Sequence, residues 1–84
     1  MGQERKLIKG QLIYRNHNVV AANVVNNTAQ LNTITDAEGG FEIAVALGDE
    51  IVFSSVQYLI RTVEITHEIL KKNRLIVTVN KKIN

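Results

Sequence analysis

Thr35-Asp36-Ala37-Glu38-Gly39-Gly40-Phe41 is the strongest turn signal in the chain, and it joins two strand-like runs. Asp36 can hydrogen-bond its own backbone two residues on, and Gly39 or Gly40 can take a positive φ at no steric cost. Leu31-Asn32-Thr33-Ile34-Thr35 lies before the turn and Phe41-Glu42-Ile43-Ala44-Val45 after it. Two such runs around a glycine-containing loop predict a β-hairpin, with strands at about 31–35 and 40–46 and Phe41 as a core anchor.

The remaining sequence repeats this grammar. Leu7 to Tyr14 reads as a first strand, with Ile8, Gly10, Leu12 and Tyr14 on one face and Leu7 and Ile13 on the other. Gly10 inside it marks a bulge or a close backbone approach. Arg15-Asn16-His17-Asn18 is a polar turn, and Val19 to Ala22 leads into a strand at Asn23-Val24-Val25-Asn26. Leu47-Gly48-Asp49 turns the chain back into Glu50 to Ser55, where Ile51 and Phe53 share the inner face. Gln57 to Ile60 is a kink or loop before Arg61 to Thr66, which alternates with Val63 and Ile65 inward. His67 to Asn73 fits either one helical turn with Thr66 as N-cap, or a loop with Ile69 and Leu70 tucked under the sheets. Arg74 to Val79 is the last strand, with Leu75, Val77 and Val79 facing the core.

Seven short strands at spacings of about 8–12 residues, with no sustained helical period, predict an all-β fold: a seven-stranded antiparallel β-sandwich. The 84 residues suffice for one domain, spanning 7–79. Residues 1–6 and 80–84 read as flexible ends of a fragment of a longer chain. A domain of this length buries only about 60–65% of its unfolded surface, so the core is thin. With four aromatic residues in all, Tyr14, Phe41, Phe53 and Tyr58, that core rests on Val, Ile and Leu.

Little of the sequence points to chemistry. Net charge is +2, and the basic residues fall in small clusters, Arg5-Lys6 with Lys9, Lys71-Lys72 with Arg74, and Lys81-Lys82. Such clusters read as solvated faces or edge-strand protection, and without interleaved aromatics they argue against a nucleic-acid partner. No run approaches the ~18 apolar residues of a membrane span, so direct membrane insertion is not expected. Cysteine is absent, which removes disulfides, thiolate metal sites and a cysteine nucleophile. The only histidines, His17 and His67, sit in polar surroundings, and Ser54 and Ser55 lack a nucleophile elbow. Asp36, Glu38 and Asp49 read as loop carboxylates, too few for a calcium site, with Asp36 capping its own turn. Asn26-Asn27-Thr28 is formally a glycosylation sequon. The expectation is a non-enzyme without cofactor or metal.

Four segments together resemble the carboxypeptidase regulatory-like domain, a transthyretin-like sandwich. Ile8-Lys9-Gly10-Gln11-Leu12 is similar to that family's opening hydrophobic-x-Gly-x-hydrophobic strand, and Val20-Ala21-Ala22-Asn23-Val24 to its Leu-Pro-Gly-Ala-Asn-Val segment. Thr35 to Phe41 matches its Thr-Asp-x-x-Gly-x-Phe turn. Gly48-Asp49-Glu50-Ile51-Val52-Phe53-Ser54 resembles its Gly-Asp-x-Leu-x-Phe-Ser, with Tyr58 in place of its Gly-Tyr. The match runs from about residue 7 to 79. Two departures stand out: the family's Pro-Gly is missing before Ala22, and Gln57 replaces the glycine before Tyr58.

The resemblance implies a prealbumin-like Greek key and a non-catalytic accessory module. Such modules sit beside carboxypeptidase catalytic domains. They also precede the plug and barrel of TonB-dependent outer-membrane receptors, and occur in other bacterial envelope proteins. The implied location is the periplasm or the outer-membrane-associated envelope, with a signal peptide removed. The implied partners are neighbouring domains of the parent protein or another envelope protein. A sandwich docks through end loops or unpaired edge strands. The polar loops at 16–18, 26–30 and 57–60 are therefore the candidate interaction sites, carried by Asn16, His17, Asn18, Asn27, Gln30, Gln57 and Tyr58. A second reading is a carbohydrate-binding module, with a glycan stacked on Tyr14 or Tyr58. A third is a hydrolase built from His17 or His67 near Ser54, Ser55 or a carboxylate.

Overall fold

The computed structural model describes residues 4–82. The chain order is β1 (Lys6–Tyr14), β2 (His17–Asn18), β3 (Asn23–Asn26), β4 (Leu31–Ile34), β5 (Gly40–Val45), β6 (Glu50–Ser54), β7 (Arg61–Glu64), α1 (His67–Lys72) and β8 (Arg74–Thr78). In the first sheet β1 is central. It pairs antiparallel with β5, from Lys6 opposite Val45 to Gln11 opposite Gly40, and with β2, where Ile13 faces Asn18. On its other edge it pairs with β8, Lys9 opposite Arg74 through Ile13 opposite Thr78, and this pair is parallel. The second sheet has the order β4-β3-β6-β7 and is antiparallel throughout.

The alternating runs explain why the sheets stack. Ile8 and Leu12 of β1, Phe41, Ile43 and Val45 of β5, and Leu75 and Val77 of β8 point to one side of the first sheet. They meet Val24, Ile51 and Phe53 of the second sheet, all buried. Across this seam the rings of Phe41 and Phe53 lie edge to face, with centroids 5.4 Å apart, an arrangement favoured by the ring quadrupoles. Gly10 makes room for it. A Cβ there would come within 2.2 Å of Phe41 Cζ and 2.5 Å of the Leu75 carbonyl oxygen. The register runs unbroken through Gly10, so of the two expectations the close approach holds and the bulge does not.

The observed architecture corrects the sequence reading in several places. Among the described residues there are eight strands, not seven, because the polar turn is shorter than expected. Arg15, with φ 54°, and Asn16 make the turn, and His17 and Asn18 fold back as β2. One strand pair is parallel rather than antiparallel. The predicted central hairpin is not a hairpin. β4 pairs with β3 and β5 with β1, so the Asp36 turn carries the chain from one sheet to the other. Its local chemistry is as expected: Asp36 Oδ1 accepts from the Glu38 and Gly40 amides, and Gly39 has φ +76°. None of those bonds says which strand each flanking run will join.

The segment after β7 takes the helical alternative, not the loop, and still tucks Ile69 and Leu70 inward. Thr66 Oγ1 caps α1 by accepting from the Ile69 amide, and Asn73 ends it in the left-handed region. Ile69 and Leu70 pack against the core. The ends are less free than expected. β1 begins at Lys6 and Arg5 is tied into the domain by its side chain, while the Leu59 amide donates to Asn80 O and the Lys82 amide to Gln57 O. Residues 1–3 and 83–84 of the expected flexible ends lie outside the described residues.

Candidate functional site

The strand order divides the expected interaction loops between two ends of the sandwich. Asn27 and Gln30 lie in the β3–β4 turn, at the same end as the β5–β6 turn and α1. Asn16, His17, Asn18, Gln57 and Tyr58 lie at the other end, with the Asp36 turn.

At the first end the dominant feature is Asp49, which the sequence reading placed among ordinary loop carboxylates. Its side chain is almost fully buried. Arg5 Nε and Nη2 donate to its two oxygens at 2.9 and 3.1 Å, Asn26 Nδ2 at 2.7 Å and the Ala46 amide at 2.9 Å. Burial by itself pushes the Asp49 carboxyl up. The hydrogen bonds from Arg5, Asn26 and Ala46, with the Arg5 charge, outweigh it and hold the carboxyl below its ordinary value. Asn26 also donates to Ala44 O and accepts from the Thr28 and Ala29 amides. It has no exposed surface, which removes the sequon as a modification site in the folded domain. Asn27 and Gln30 are exposed, and the Asn27 amide group reaches Glu50 Oε1 at 3.1 Å. Every group of the Asp49 cluster is engaged within the protein, so the cluster braces the fold.

The other end is open. Residues 19–22 run across it outside any strand, held by backbone bonds to Leu12 and Thr35 and by one buried hydroxyl. Thr35 Oγ1 donates to Val19 O at 2.7 Å and accepts from the Ala22 amide at 2.9 Å. Ala21 takes φ 61°, a region where a Cβ is strained. Between this segment and the β6–β7 loop lies an open cleft of about 430 Å³, bordered by Asn18, Val20, Asn23, Val56, Gln57 and Tyr58. Val56 is 90% exposed, and Leu59 and Ile60 beside it are at least half exposed. Asn18 Oδ1 accepts from Gln11 Nε2 at 3.0 Å, which fixes one wall.

Tyr58 is not a free platform. Its ring lies 5.1 Å from that of Tyr14, tilted by 48°, and both pack against the core, with the Arg15 guanidinium 5.4 Å from the Tyr14 centroid. The cleft is lined by amides, a serine hydroxyl, a tyrosine and aliphatic side chains, without a carboxylate, imidazole or cation. Such a lining suits apolar contact and neutral hydrogen bonds. His17 lies at this end in β2, as do Ser54 and Ser55 at the end of β6, and His67 lies at the opposite end in α1. Among the described residues no three His, Asp or Glu side chains gather where they could hold a metal ion. No helix among them is long and apolar enough to cross a membrane.

Of the residues expected to form interaction loops, Asn18, Gln57 and Tyr58 therefore share one cleft, with Asn16 and His17 in the adjoining turn and strand. Asn27 and Gln30 stand apart. Val20 and Val56 line the same cleft from outside the loops expected from the sequence, and the exposed Leu59 and Ile60 fall within the expected 57–60 loop. No protein-family model matches the chain, and no curated protein matches it in sequence.

Proposed function

We propose that this domain is a non-catalytic accessory module of the carboxypeptidase regulatory-like type, which docks against a neighbouring domain or partner protein through its open end. The observation that carries the docking role is the uncharged cleft lined by Val20 and Val56, with Leu59 and Ile60 exposed in the same β6–β7 loop. Exposed aliphatic side chains clustered on loops are the composition of a contact surface. The family reading is supported by the two stacked, mostly antiparallel sheets. Ala21 adds to it: this residue stands where the family motif has glycine, and its φ of 61° is one that glycine takes without strain. The location, in a bacterial envelope protein such as a TonB-dependent receptor, follows from the resemblance alone. The sugar-binding alternative gains no support from Tyr14 and Tyr58, which stack on each other and on the core.

Reading the coding sequence on both sides of these residues tests the proposal directly. An export signal ahead and a further folded domain behind are expected. A gene without an export signal, whose product ends with this domain, overturns the envelope reading.

A further inference from the structure

We infer that the outer edge of β8 is a second docking site, independent of the cleft, which accepts an extended acidic segment of a partner as an added strand. The argument starts from hydrogen-bond direction. In a parallel strand the N–H and C=O groups of successive residues point alternately to either side. The Val79 amide donates to Ile13 O of β1 at 2.9 Å, so Leu75, Val77 and Val79 address β1, and Arg74, Ile76 and Thr78 address the outer edge. Arg61 Nη1, reaching from β7, donates to Thr78 O at 3.2 Å and confirms that direction. The carbonyl of Arg74, both backbone groups of Ile76 and the amide of Thr78 are left without a partner among the described residues. Such a row is a template for another strand.

The side chains specify what that strand must look like. Ile76 is 53% exposed at the middle of the edge. Beside it an open groove of about 520 Å³ runs between α1 and β8, walled by Ile69, Leu75 and Ile76. Cations flank this apolar centre: Lys72 and Arg74 at one end and Arg61 at the other, with Glu68 on the helix rim as the acidic neighbour. An incoming segment with apolar residues at its centre and carboxylates on both sides matches this surface. A second copy of the chain would bring the same cations to the seam, where like charges oppose pairing. The other sheet has an edge of different character: β4, Leu-Asn-Thr-Ile, carries no charge at all.

The test uses the chain as it stands and a short, end-blocked peptide with an apolar centre flanked by glutamates. Its twin carries lysines instead. The glutamate peptide is expected to bind saturably, to shift the Ile76 and Thr78 amide resonances, and to weaken by about tenfold or more as salt screens the pairs. Ile76→Pro removes an amide that faces outward, so it is expected to abolish binding while leaving the melting curve near that of the parent chain. Should that variant fail to fold, the charge reversals Lys72→Glu and Arg74→Glu replace it, and each is expected to weaken the glutamate peptide by more than tenfold. Equal binding of the lysine twin overturns the inference, as does binding that survives these substitutions or shifts confined to the cleft residues Asn18, Val56 and Gln57. Self-association of the chain abolished by Ile76→Pro, without peptide binding, assigns the edge to a second copy and also overturns it.

Discussion

At one end of the sandwich the Asp49 carboxylate gathers Arg5, Asn26 and the Ala46 amide; at the other, the Thr35 hydroxyl gathers Val19 and Ala22 without any charge. The first arrangement joins the start of β1, the end of β3 and the β5–β6 turn, and each of its groups is spent on the fold. The second fixes one crossing segment and leaves the loops around it exposed. The anchoring cluster and the open cleft are thus separated by about the length of a strand. A buried charge network tolerates no loss of a partner, whereas loops held by a single hydroxyl and backbone pairs can present varied side chains.

The comparison breaks most sharply at Asp49. Asp49→Ala leaves Asn26 Nδ2 and the Ala46 amide without their buried acceptor and frees Arg5, and is expected to cost about 3–4 kcal/mol in urea unfolding. The same carboxyl gives the pH dependence a sign. Its folded-state pKa lies below the ordinary value, so its contribution is complete above about pH 4 and is lost as pH falls through the depressed value. Asp49→Asn is expected to flatten the fall in stability below about pH 4. An unchanged acid limb would show that other carboxylates carry it.

Thr35→Val is the corresponding break at the open end. It keeps the shape but leaves the Val19 carbonyl and Ala22 amide unpaired in a buried place, with an expected loss of about 2 kcal/mol. Because Thr35 braces residues 19–22, amide hydrogen exchange in that segment should rise more than in β1. Uniform acceleration across both sheets would mean the two ends are not separate units.

These two clusters differ also in how far the sequence announces them. Turn chemistry, helix capping and the alternation of core residues are local. The Asp36 turn, the Thr66 cap, the glycine in β1 and the inward sets of β6 and β8 were therefore legible. Strand partnership is not local: the same Asp36 bonds serve a hairpin or a crossing between sheets, and nothing within Arg74–Thr78 says that it will run parallel to β1. Asp49 was misread for the same reason. Its neighbours Leu47 and Gly48 mark a turn, and its burial depends on Arg5 and Asn26, 44 and 23 residues away. The cleft was half legible: the 16–18 and 57–60 loops beside it were expected, whereas Val20 and Val56, apolar residues outside those loops, carried no polar-loop signal.

A smaller effect sharpens the contrast within the open end. Ala21 holds φ 61°, and Ala21→Gly removes that strain while adding unfolded-chain entropy. The balance favours glycine by about 0.5–1 kcal/mol. Ala21→Val, β-branched in the same backbone region, is expected to destabilise by about 1–2 kcal/mol. A loss of stability in the glycine variant would show that the Ala21 methyl contributes packing that outweighs the strain.

The smallest stability effects belong to the exposed aliphatics, and that is what makes them informative. Val56 at 90% and Ile60 at 67% exposure are nearly as wet in the folded state as in the unfolded one. Val56→Ser and Ile60→Ser should therefore shift unfolding by about 0.5 kcal/mol or less. If these side chains form the docking surface, the paired variant should lose contact with the adjacent domain or partner while melting like the parent chain. A marked drop in stability would instead place them in the packing of the β6–β7 loop against Val20. The open end would then resemble the Asp49 end, braced from within and not shaped for a partner.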